Sequence, residues 1–600
     1  MLNKINNIPD KYLRVDIRST SIISFVIYYL WIFIYTEQNF QQFSYLRVLF
    51  AALAFLILFL FMVKLFVRDF FKEKLNVGYV GIVTSIFIVF VLIVFTKSIM
   101  LFWMKPGSYD PFYPLLNAES GLWHRDTAFH VSLIQSILNF GYPSIAENNT
   151  PITIYHVLSH YIDAIIVCLV GVQPYDSYGL FFCFKISLYL SSILVYVTSI
   201  FRKNSIIALL LSLLILIYLF NDMWGNAVGS EGLWFTSVLL LLSFGFTIEK
   251  VSNSEYTFKS FVVISILIIT ISIGKVSTGF MYASFIGFLL LFNHYRNKYV
   301  YVTGIIWLIF FYFFQKLLVG VAGGEVNQEV LSLLQIIEQY ISYFIHPSFR
   351  LCESYILLFI IFIQSIFFRK NKRFYFFLPA FLTLMVLGFV VSSNKELSTA
   401  DIMYFEIGYN SILSMLVIYM LINQYNNSKS RMPYNILLVT LLLLASHSYL
   451  AVFSNSQLSI RLPNYYQSYT PLLNDKSTLY GFRNYLYKYM QQHNLTKRNS
   501  VLYIPKEIYN TELEMYIKKY PYPGNKNWTG MLIYAINGVP LLYGANSKPS
   551  DGYGYIDYGK SAQWVFQNDF DTISACNIAD GKTIIVVDSY INKKLDLIRC

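Results

Sequence analysis

Apolar stretches broken by short polar loops run along this 600-residue chain as far as residue 454. Each stretch approaches or exceeds the length a helix needs to cross about 30 Å of hydrocarbon. The pattern predicts about thirteen spans, at 17–36, 45–67, 77–103, 178–201, 205–221, 232–249, 259–274, 277–294, 298–319, 351–368, 374–392, 405–423 and 434–454. The segment 155–172 is also apolar, but counting it as a span would invert the charge pattern of every later loop. It is therefore expected as a re-entrant or interfacial helix, which membrane depth tolerates only where protein or water covers the backbone. Gly274 to Gly279 reads as a tight turn between two short spans, or as a break in one long helix.

Beyond residue 455 the pattern changes. The tail 455–600 is polar and carries Pro and Gly turns. Phe482 to Met490 has helical spacing, and Ser500 to Ile504, Met531 to Ile536 and Thr583 to Val587 read as strands. The fold class expected is an α-helical polytopic membrane protein, residues 1–454, with a C-terminal α/β soluble domain, residues 455–600.

Composition agrees with this class. The chain is 56% hydrophobic, and its 13% of charged residues is about half the share of a soluble domain. A net charge of +12 invites a nucleic-acid partner. The basic residues, however, fall in short loops between apolar runs, as the positive-inside rule requires, and no nucleic-acid partner is expected. Arg68 to Lys74, Arg202-Lys203, Arg296 to Lys298, Arg369 to Arg373 and Lys429 to Arg431 all share the side of the N-terminus. That side is expected to be cytoplasmic. The loops 104–177, 222–231, 320–350 and 393–404 and the tail are then extracytoplasmic. The N-terminal region shows no small-residue cleavage site, so the first span reads as a retained anchor.

Candidate chemistry concentrates in the first large outer loop. Four of the eight histidines lie between residues 124 and 160. Asp126 and His130 are four apart, as are His156 and His160, so each pair shares a helix face. Asp126, with Glu119 as second choice, is the candidate general base toward an acceptor hydroxyl. His124, Arg125, His130, His156 and His160 are candidate substrate ligands. His130, His156 and His160 can alternatively hold a divalent metal ion, since imidazoles at i and i+4 suit zinc. Lys275 at membrane depth needs an anionic partner, and Arg350 stands at an outer span entry. The plain alternative is an interfacial helix with a wet polar face. Of the five cysteines, Cys576 and Cys600 are the two in the tail. In an oxidising compartment they are expected to bridge, closing a loop of about 25 residues. No Walker-type loop, GxSxG or HExxH occurs.

The Trp123-to-His130 stretch, Gly141 to Ser144 and Tyr155 to His160, with Gly538 to Gly544 and Tyr553 to Tyr555 in the tail, resemble a group of large uncharacterised bacterial membrane proteins. The architecture of many spans, an early acidic outer loop and a C-terminal soluble domain resembles the GT-C class of glycosyltransferases. That resemblance implies transfer of a sugar from a polyprenyl-phosphate carrier to a surface glycan or lipid acceptor, on the outer face of a bacterial inner membrane. It further implies that Asp126 or Glu119 is the base, and that Arg125, Lys275 or Arg350 holds the carrier phosphate. Rival expectations are an O-antigen-type polymerase acting on lipid-linked repeat units, a polysaccharide or lipid transporter or flippase, and a structural or receptor protein.

Overall fold

The computed structural model describes residues 16–40, 43–67, 70, 78–103, 125–145, 157–201, 209–210, 212–213, 231–252, 256–322, 374–393, 399–427, 479–508, 512, 529–542 and 571–600. These are mostly helical. The helices are α1 (Ile17–Asn39), α2 (Tyr45–Phe66), α3 (Tyr79–Trp103), α4 (Arg125–Phe140), α5 (Val157–Val170), α6 (Pro174–Ile200), α7 (Glu231–Ser252), α8 (Phe258–Gly274), α9 (Val276–His294), α10 (Lys298–Ala322), α11 (Phe374–Ser393) and α12 (Thr399–Asn427). The C-terminal region adds α13 (Leu479–Gln492), β1 (Ser500–Tyr503), a single turn at Lys506–Ile508, α14 (Thr529–Asn537), α15 (Thr572–Ala579), β2 (Thr583–Ser589) and β3 (Lys594–Ile598).

Seven of the described helices are long and apolar enough to cross a membrane: α1, α2, α3, α6, α7, α9 and α12. The chain is thus built as a polytopic helical membrane protein. The expected spans 351–368 and 434–454, and most of 205–221, lie outside the described residues. On α2 the division of faces is plain. Leu46, Phe50, Leu53, Ile57, Phe61 and Leu65 are exposed, while Val48, Ala51, Phe55, Phe59 and Met62 are buried. One stripe suits lipid and the opposite stripe the bundle. α6 is buried on all sides and forms the central post.

Several polar side chains inside the bundle bond to their own helices. The hydroxyls of Ser24, Thr36, Thr96, Ser192 and Thr198 each donate to the carbonyl four residues back, at 2.6–2.8 Å. Such back-bonding satisfies the hydroxyl where no water is present.

The helix directions follow from contacts at their ends. Ser21 meets Thr198 at 2.8 Å, and Asn426 donates to the Ile200 carbonyl at 2.8 Å. The start of α1 and the ends of α6 and α12 therefore lie together, on what we call the far side. α8 and α9 form an antiparallel hairpin. At its open end Asn297 donates to the Tyr256 carbonyl and His294 Nε2 to the Val251 carbonyl, both at 2.7 Å. At its closed end the chain folds back at Lys275. A Cβ on Gly279 would lie 2.5 Å from the Ser272 Cα, so the two backbones touch there and only glycine fits. Of the two expectations for Gly274 to Gly279, the structure takes the tight turn.

The C-terminal residues form a small α/β unit on the opposite, capped side. β1 pairs parallel with β2, and β3 antiparallel with β2. The expected strand Met531 to Ile536 is corrected: these residues lie in α14. Ile533 to Ile536 are buried throughout, so the run lacks the alternation that marks a half-buried strand, and short apolar runs fit either element. Cys576 and Cys600 are joined by a disulfide, with Cα atoms 5.1 Å apart. The core of the unit is not its own alone. Phe482, Leu486, Leu502, Ile536, Val539 and Ile585 pack in one cluster with Ala128, Phe129, Val131 and Leu133 of α4 and with Tyr175 and Tyr178 of α6.

Candidate functional site

The site begins with α4, which lies between bundle and C-terminal unit. Its residues from Ala128 to Ser136 are all buried. Ile134 belongs to the bundle core and Val131 and Leu133 to that of the α/β unit. Polar tips pin α4 to the unit: Gln135 donates to the Ala535 carbonyl at 3.4 Å and Asn139 to the Gly538 carbonyl at 3.0 Å. The unit is also tied to the start of α6. Arg483 forms a two-pronged ion pair with Asp176 at 3.1 and 3.0 Å, and Lys497 reaches Gln173 at 3.4 Å. Burial pushes the Lys497 ammonium down to about 8, with the nearby Arg483 charge adding to the effect and Asp176 opposing it.

α5 lies beneath α4. His160, near its first turn, meets α4, and its last turn leads through Gly171 and Val172 to Gln173, which Lys497 contacts. At 14 residues α5 is shorter than the helices long enough to cross a membrane. Gly171, at φ +67°, supplies the left-handed turn that lets the chain enter α6. One face of α5 exposes Ile165 and Leu169. The other buries Ser159, His160 and Asp163 completely.

Two polar contacts are built on this inner face. Nδ1 of His130 and Nε2 of His160 stand 2.9 Å apart, with both residues buried. One nitrogen donates and the other accepts, so at least one of the two imidazoles is neutral. One turn along α5, Asp163 Oδ2 accepts from Lys185 Nζ of α6 at 2.5 Å. The ammonium also sits 5.4 Å from the Tyr178 ring centre and 5.3 Å from that of Trp234.

A second polar centre is the α8–α9 turn. Lys275 is 1% exposed, with its ammonium 3.3 Å from the centre of the Tyr404 ring on α12. The first turns of α7 link the two centres: Trp234 faces Lys185, while Gly232 and Thr236 pack on Gly274. Glu406, 2% exposed, lies half a turn beyond Tyr404 on α12.

Of the residues singled out from sequence, the structure thus joins His130 to His160. Lys275 stands apart from that pair, against Tyr404. Arg125 and Asp126 occupy the first turn of α4, one turn before His130, and their side chains are outside the described set. Glu119, His124, His156 and Arg350 lie outside the described residues. Among the described residues no group of three or more His, Cys, Asp or Glu side chains is placed to hold a metal ion. Sequence reasoning passed over Lys185 and Tyr178. A usable signal existed, since Lys185 is the one charged residue within the apolar run 178–201 and such a lysine requires a partner.

No family model, no curated protein and no solved structure matches this chain.

Proposed function

We propose that this chain is a membrane glycosyltransferase of the GT-C kind, taking a sugar from a polyprenyl-phosphate carrier and passing it to a glycan or lipid acceptor. The observation that carries the reading is the buried His130–His160 pair, set where α4 serves at once the membrane bundle and the α/β unit. A substrate with a lipid tail and a sugar head needs a site at such a junction, with hydrocarbon on one side and water on the other. Asp126, one turn before His130, is the proposed base that accepts the acceptor's proton, with Glu119 as the alternative. The histidines and Arg125 bind the carrier phosphate, Lys275 and Arg350 add positive charge, and a divalent metal ion is an optional addition at His130, His156 and His160.

The proposed location is a bacterial inner membrane with the capped side outward and about thirteen spans. Lys64, Lys250, Lys259, Arg296 and Lys298 stand at far-side helix ends, which supports a cytoplasmic far side. The Cys576–Cys600 bridge supports an oxidising environment for the α/β unit.

The test is turnover by purified protein in lipid nanodiscs, supplied with a polyprenyl-phosphate-linked hexose and cell-envelope glycan. Release of polyprenyl phosphate that falls in Asp126→Asn and His160→Ala is expected. Release of polyprenyl diphosphate from a lipid-linked repeat unit instead would favour the polymerase reading. Movement of the intact carrier between leaflets without bond cleavage would favour a flippase, and either result would displace the transferase.

A further inference from the structure

The Asp163–Lys185 pair is an expensive thing to build. Both side chains are almost fully enclosed, at 0% and 6% exposure, and α6 is buried along its whole length. Two charges taken out of water regain that cost only with close geometry and further partners. Here the geometry is close, and the ammonium also lies near the Tyr178 and Trp234 rings. Replacing the pair by apolar residues would often be no less stable, so stability alone does not account for it.

Its position suggests what it does. α5 is short, at 14 residues, and it exposes Ile165 and Leu169 on its outer face. Apolar packing alone therefore specifies its rotation and depth weakly, since lipid accepts its outer face as readily as the bundle accepts its inner one. Asp163 lies three residues after His160, on the same buried face. Fixing Asp163 on Lys185 sets both the rotation and the depth of α5, and with them the point at which His160 Nε2 meets His130 Nδ1.

We propose that Lys185, acting through Asp163, is a positioning residue that locks the short helix α5 in the register that brings His160 against His130. The proposal rests on the reading of that histidine pair as the working site.

The test is disulfide cross-linking in native membranes, in a full-length background with Cys168, Cys183 and Cys352 replaced by Ser. His130→Cys with His160→Cys reports the α4–α5 register. Gln135→Cys with Ala535→Cys reports α4 against the C-terminal unit. With Lys185 in place, both pairs are expected to cross-link. Lys185→Met is expected to lower the first cross-link about fivefold or more while leaving the second unchanged, because it removes the cation on which Asp163 fixes α5. The exchanged variant, Asp163→Lys with Lys185→Asp, is expected to regain a large part of the first cross-link. The proposal is overturned by an unchanged first cross-link in Lys185→Met, by failure of the exchange to restore it, or by parallel loss of both cross-links. Intact contrast in a protein that shows no affinity for a polyprenyl phosphate would leave the lock standing and remove the function built on it.

Discussion

Asp176→Asn is the sharpest perturbation of the joint between bundle and C-terminal unit. It keeps the side-chain shape while removing the charge that receives both prongs of Arg483. The side chains of the pair are 4% and 12% exposed, so screening by water is slight. Exposed pairs are worth about 0–1 kcal/mol, whereas breaking a buried pair by removing one partner costs about 3–5 kcal/mol. The lower end applies here, at about 3 kcal/mol, because Asp176 keeps an edge to solvent. At about 1.4 kcal/mol per tenfold, local opening of the joint should rise roughly a hundredfold. Hydrogen exchange reads the effect on the docked unit at the Gly538 and Leu542 amides, which donate within it to the Tyr534 and Leu502 carbonyls at 2.7 and 2.9 Å. A double-mutant cycle with Arg483→Met isolates the pair from the helix-terminus effect of Asp176. In the double variant much of the loss should return, since no buried charge is left unpaired. A coupling energy below about 1 kcal/mol would show the pair to be equivalent to a surface contact and would refute the reasoning.

Other consequences can be checked separately. Lys497 has its ammonium pressed down to about 8 by burial. The unfolded chain therefore holds one more proton than the folded chain from about pH 8 up to the ordinary lysine range near 10.4. Docking stability should rise with pH across that window, by at most about 1.4 kcal/mol per pH unit, and Lys497→Met should flatten the slope; a flat profile in the unmodified protein would contradict this. Reducing the Cys576–Cys600 bridge, or replacing both cysteines by Ala, should cost the α/β unit about 3 kcal/mol, read as lower thermal resistance to protease. Unchanged protection would show that the loop is held by other contacts. Gly279→Leu should sharply reduce folded protein in the membrane, because a side chain there meets the Ser272 backbone; normal yield and melting would disprove the close hairpin. Single cysteines at Asn494 and Thr572 should react with an impermeant reagent only from outside intact spheroplasts, and labelling only in inverted vesicles would reverse the orientation.

How far the sequence carried the fold depended on the kind of signal. Long apolar runs fix the membrane class because lipid leaves the backbone few alternatives, but α2 is apolar on both faces, so which stripe meets lipid follows from packing and not from spacing. For the short α5, 14 residues of apolar helix carry no decisive signal on their own, and only the loop charges bear on whether it spans. The doubled i, i+4 spacing of Asp126/His130 and His156/His160 pointed to a polar cluster, and His130 and His160 do meet. The pattern gave each pair a common helix face but not which member of one pair would face which member of the other. That depends on how α4 and α5 cross. The pairing of Lys185 with Asp163 joins residues 22 apart on two helices, which no periodicity encodes. Likewise α14 reads as a strand because its apolar run is short, and its helical form follows from burial against α4.

The proposed function requires a lipid-linked phosphate to sit at the junction of α4 and α5. The most direct measurement is photolabelling of the full-length protein in nanodiscs with a polyprenyl phosphate carrying a diazirine beside the phosphate, followed by peptide mapping. Saturable labelling confined to residues 125–140 and 157–170, competed by unlabelled polyprenyl phosphate and weakened by His130→Ala, is the predicted result. Labelling that does not saturate, or that falls only on lipid-facing residues of α2 and α10, would contradict it.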